Sequence, residues 1–130
     1  MRTTLLKLAL ALFGFIFLLI YPLAIVWPSG WAWHMGAPYE SDYFMMIVGV
    51  YATLGVFLIF ASRNPDANRV LIWFTVVSSV VHAAIMAVQS FGMAGNMNHM
   101  GHLWGDVPAL LLVAITLSAL TLMPDKTAKA

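Results

Sequence analysis

Four long apolar runs, separated by short polar stretches, make up most of the chain. They cover residues 5–27, 43–61, 70–91 and 103–123. Each reaches the length, about 20 residues, that an α-helix needs to cross a hydrocarbon core of roughly 30 Å. None shows the alternating polarity, in segments of about 10 residues, of a membrane β-strand. The pattern predicts an all-α fold, a four-helix up-and-down bundle integral to a membrane. No internal repeat or low-complexity segment divides it, so residues 1–130 read as a single transmembrane domain.

The polar stretches set the boundaries. The first run opens on Arg2 and Lys7, as a signal peptide does. It is too long for one, and Trp27, Pro28 and Ser29 offer no small-residue cleavage site. It reads as a retained helix whose outer end is kinked by Pro22. Asn64 followed by Pro65 reads as a helix start, which predicts that the second and third helices are antiparallel neighbours. Asp106 reads as the N-cap of the fourth helix, with Pro108 in its first turn. Pro124 marks the exit from that helix.

Composition sharpens the membrane reading. Hydrophobic residues make up 62% of the 130, charged residues 8%, and the mean hydropathy is +0.91. A soluble domain is about 45–50% apolar and about 25% charged. Disorder and a coiled coil are excluded by the low charge. The chain has no cysteine, which removes disulfides, thiolate metal sites and cysteine nucleophiles. The net charge of +1 leaves no basic face for nucleic acid.

The position of the charges gives a topology. Arg2 and Lys7 precede the first helix, Arg63 and Arg69 lie between the second and third, and Lys126 and Lys129 follow the fourth. The other two connections contain no Lys or Arg. The positive-inside rule therefore places both termini in the cytoplasm, in a multi-pass membrane protein. Trp27, Trp31, Trp33 and Trp104 at the outer boundary, and Trp73 near the inner one, agree with an interfacial aromatic belt.

The third helix carries the candidate chemistry. At about 100° per residue, Thr75, Ser78, Ser79, His82, Met86 and Gln89 share one arc of about 100°. The opposite face is Trp73, Val77, Val81, Ala84 and Val88. Lipid satisfies no hydroxyl, imidazole or amide, so the polar stripe should face the other helices. For the hydroxyls the simple reading is packing and bonds back to their own helix. His82, near mid-membrane, stands apart: an ionisable residue there marks a functional site, as ligand, relay or quinone contact. Gly49, Ala52 and Thr53 in the second helix, and Gly14 in the first, read as small surfaces for helix packing.

A second group lies in the outer connection after the third helix. Met97, His99, Met100, His102 and Asp106 fall within ten residues, and the other outer connection adds His34, Met35, Glu40 and Asp42. Imidazole with thioether suits copper; zinc accepts the histidines and carboxylate but gains little from thioether. Without a metal, the same residues read as a polar lid, with Asp106 capping the fourth helix and bonding a histidine. Haem is disfavoured by geometry. Paired imidazoles must approach within about 4 Å across the iron. His82 lies ten residues below the outer end of its helix, about 15 Å at 1.5 Å per residue, whereas His99 and His102 are expected at or beyond the mouth.

Enzyme signatures are missing. Ser78, Ser79 and His82 share one helix with no carboxylate to orient the imidazole, and there is no Gly-rich phosphate loop. The segment His102-Leu-Trp-Gly-Asp106-Val-Pro-Ala-Leu-Leu-Leu-Val-Ala, together with His82, resembles small bacterial four-helix membrane proteins of unknown function and, in layout, the DoxX-like group. The DoxX-like resemblance implies association with a membrane redox system; thiol chemistry is excluded by the lack of cysteine. Three functions follow as expectations. One is a non-enzymatic membrane protein that binds a metal or small polar ligand through its inner or outer histidines. The second is a structural subunit of a larger membrane complex or homo-oligomer. The third is a proton or ion path along Gln89, His82, Ser79, Ser78 and Thr75, which lacks the deep carboxylates such paths use.

Overall fold

A computed structural model describes residues 1–27, 37–92 and 101–124. Every regular element among them is helical: α1 (Arg2–Leu18), α2 (Ile20–Val26), α3 (Asp42–Ala61), α4 (Arg69–Gly92), α5 (Gly101–Trp104) and α6 (Asp106–Leu122). Single 3-10 turns at Pro38–Glu40 and Asp66–Asn68 lead into α3 and α4.

Local chemistry explains the boundaries. Pro22 has no N–H for the carbonyl of Leu18, so the first apolar run breaks one turn earlier, at Leu19. There the chain tightens to a bond from the Leu19 N–H to the Ile16 carbonyl, and α1 and α2 diverge by 59°. Ser41 caps α3, its hydroxyl accepting from the Phe44 N–H at 3.2 Å. The Asn64 side chain accepts from the Ala67 N–H at 3.4 Å and opens the turn at Pro65.

Helices α3, α4 and α6 (with α5 leading into it) are each long and apolar enough to cross a membrane, and the bent pair α1/α2 adds a fourth span if it counts as one. Phe74, Val77, Val81 and Ile85 on α4, with Leu112 and Ile115 on α6, are exposed. Such an apolar exterior suits hydrocarbon and not water.

Packing departs from chain order. Helix α1 packs on α3, α4 packs on α6, and α1 also meets α6. Although α3 and α4 are joined by a short turn, they touch only sparingly. The expected neighbours are thus two sides of a thinly packed seam. The main core is formed by Leu6, Leu10, Phe13, Leu58, Ile72 and Leu117. Its tightest point is a crossing of α1 and α3 at Gly14 and Gly55, where a Cβ on Gly14 would lie 2.7 Å from the Gly55 carbonyl oxygen.

At one end of the bundle Arg2 ties three segments together. Its side chain donates to the carbonyls of Leu120 at 3.1 Å and Thr121 at 3.4 Å, and lies 3.7 Å from the carboxylate of Asp66. A cation at the C-terminal carbonyls of α6 is favoured by the helix dipole.

Candidate functional site

The stripe on α4 divides into two parts. Thr75 and Ser79 are buried and Ser78 is half-buried. The Thr75 hydroxyl donates to the Leu71 carbonyl at 2.9 Å, and the Ser78 hydroxyl to the Thr75 carbonyl at 3.2 Å. These two hydroxyls satisfy themselves within their own helix, as Ser and Thr do in apolar surroundings. Gln89 is exposed, away from the buried line that the 100° projection assigned to it.

His82 behaves differently. Its Nδ1 is hydrogen-bonded to the hydroxyl of Tyr51 on α3, across the seam. The two rings lie 5.7 Å apart, and Phe17 of α1 meets the Tyr51 ring edge-on at 5.1 Å. Tyr51 is the residue that reading the sequence missed. Counted among the apolar positions of α3, its phenol nevertheless needs a polar partner in mid-span, by the same argument that singled out His82.

A second polar pair lies beside the first. Nδ1 of His102 and Oδ2 of Asp106 are 2.7 Å apart, one helical turn from each other, and both residues are buried. Asp106 is not the N-cap of α6. Gly105 holds that position, and Asp106 begins the helix with its carboxylate turned to His102. The short helix α5 packs against both α4 and α6 and carries His102 inward. Ala83 of α4 packs with Val107 and Leu110 of α6, and Tyr51 and Met86 border this small core. Residue 83 is nine positions short of Gly92, so the α6 start lies about 13 Å along the bundle from the Gly92 end of α4.

The consequence is a merged site. Tyr51 of the first pair packs against the core of Ala83, Val107 and Leu110 at the start of α6, where Asp106 of the second pair stands. His102 and His82 were expected to stand far apart; the inward turn of α5 closes that separation. The Asp106 side chain is 8% exposed, and its Oδ1 is buried with no hydrogen-bond partner. A buried carboxylate oxygen without a partner is costly, and native structures keep few such atoms. Chemically, the arrangement offers a strong acceptor in apolar surroundings, bordered by aromatic rings.

Metal chemistry gains nothing from the described residues, among which no three His, Asp or Glu side chains are grouped to hold an ion. His34, Met35, Met97, His99 and Met100 lie outside the described residues.

These features define an all-helical protein with membrane-length spans and a buried polar cluster toward one end of the bundle. The chain belongs to DUF6632, a family of unknown function, whose pattern matches residues 2–127. No curated protein and no solved structure matches it.

Proposed function

We propose that this chain is a multi-pass binding protein of the bacterial inner membrane. Both termini lie in the cytoplasm, and a small ligand is received by the cluster of Tyr51, His82, His102 and Asp106. The observation that carries this reading is Oδ1 of Asp106, buried and unpartnered beside a second polar pair. A helix-packing device would have no use for an acceptor that pairs with nothing, whereas a ligand donor would satisfy it. The reading is non-enzymatic: the cluster has no nucleophile and oriented base in sequence. It moves the centre of interest from the outer mouth to the interior, because His102 and Asp106 are turned inward.

Native mass spectrometry of the purified protein, released from lipid nanodiscs, tests this. A small-molecule adduct is expected at one per chain and is lost in Asp106→Asn. Stoichiometric copper that disappears with His99→Ala and His102→Ala would favour the outer metal site instead. An adduct-free chain held in a fixed complex with other subunits would favour the structural role.

A further inference from the structure

The described residues of the cluster are unevenly covered. Asp106 and His102 are buried, whereas Tyr51, His82 and Met86 are half-buried. Those three residues flank the seam between α3 and α4, the two helices that touch sparingly. Tyr51 is tenth in the twenty residues of α3, and His82 is ten residues from the end of α4. Partial exposure at that depth is exposure to hydrocarbon. The neighbours along the seam, Val50 and Thr53 on α3 and Val81 and Ile85 on α4, are exposed too.

We propose that the ligand of this site is a membrane-soluble phenol or hydroquinone that enters from the bilayer through the α3/α4 seam and donates its hydroxyl to Oδ1 of Asp106. The inference rests on reading the cluster as a binding site and adds the class of ligand and its route. The polarity of the ligand follows from the site. An ionised carboxylate oxygen is an acceptor, so a ligand that pairs with it brings the proton. Its apolar body follows from the entrance, which lies within the span, and from the small apolar core of Ala83, Val107 and Leu110 that packs beside the polar pairs. An aromatic headgroup follows from the rings of Tyr51 and His82 that border the approach, since offset or edge-on ring contacts add to area burial. The bond between Tyr51 and His82 bridges the seam and is the contact that must shift to admit the ligand.

The test uses the full chain in nanodiscs and three probes. The first is a short-chain alkyl hydroquinone, the second its di-O-methyl ether, and the third methylammonium chloride. The hydroquinone is expected to bind saturably, at one per chain, by equilibrium dialysis. Asp106→Asn, which keeps the shape of the side chain but turns a donor toward the ligand, should weaken it at least tenfold, the size of a lost hydrogen bond to a charged acceptor. The ether, which has no proton to give, should bind no better to wild type than to the variant. Tyr51→Phe, which unlatches the seam, should speed association of the hydroquinone. Circular dichroism and thermal unfolding confirm that each variant is folded. Should methylammonium bind in an Asp106-dependent way while the hydroquinone does not, the lipid route and the ligand class are overturned and the binding site stands. If no probe binds, both fall. Equal binding of hydroquinone and ether would also overturn the proposal, because the carboxylate would then have no part in recognition.

Discussion

At the scale of single residues, the cluster shows which polar groups a hydrophobic sequence reveals. His82 was legible because an imidazole in an apolar run has no lipid-compatible state. Tyr51 was not, because its ring counts as apolar while its hydroxyl carries the bond. Asp106 was legible as a cap and as a partner for a histidine: the cap position falls to Gly105, while the inward turn of α5 makes His102 the paired histidine. That pairing makes a prediction about non-additivity. His102→Leu leaves a buried carboxylate without its partner, and should cost about 3–5 kcal/mol. Asp106→Leu removes the carboxylate from beside the imidazole, at smaller cost. The double variant should recover most of the loss, since replacing a buried pair by apolar side chains is often near neutral. Thermal unfolding in nanodiscs measures all three. A double variant at least as unstable as the sum of the singles would mean that the pair is not coupled.

At the scale of elements, the apolar runs match α3 and α4 to within a residue and open three residues before α6, but they did not fix the faces or the partners of these helices. The proline rule supplied a kink in the first run; the break falls at Leu19 because the missing bond of Pro22 belongs to the carbonyl four residues earlier. Glycine shows the same gap. Gly49, read as part of a packing surface, faces open space, and Gly55, six residues on, meets Gly14 of α1 at the tightest crossing. Spacing along one helix does not say which face another helix will cover. The two positions therefore respond in opposite ways to alanine. At Gly55 a Cβ would lie 2.5 Å from the Gly14 carbonyl oxygen, which is backbone and gives little. Gly55→Ala should push α1 from α3 and cost about 1–3 kcal/mol, as overpacking does. Gly49→Ala should leave stability unchanged or slightly raised, because a Cβ there meets nothing and alanine is the better helix former. Unfolding temperatures of the two variants, in the same lipid, decide the point.

At the scale of the whole molecule, the charge pattern and the packing bear on one question, the direction in which the chain crosses the bilayer. Lys and Arg fall only in the first two turns of α1, from the end of α3 to the first residue of α4, and after α6. Independently of any membrane, Arg2 joins the start of α1, the turn at Asp66 and the last carbonyls of α6 at one end of the bundle. Arg2 and the turn that holds Arg63 and Arg69 thus share an end, which is the arrangement the positive-inside rule reads as cytoplasmic. The Tyr51 and Asp106 cluster lies toward the other end, where α6 begins. The chain has no native cysteine, so single introduced thiols report without background. Ala67 and Glu40 are both exposed and stand at opposite ends of α3 and its flanking turns. In intact cells, a membrane-impermeant maleimide should modify Glu40→Cys and spare Ala67→Cys until the membrane is opened. Labelling of Ala67→Cys alone would invert the orientation and put the seam site on the cytoplasmic side. The ligand would then have to be sought among molecules of that leaflet, although its chemistry, a proton donor on an apolar body, would be the same.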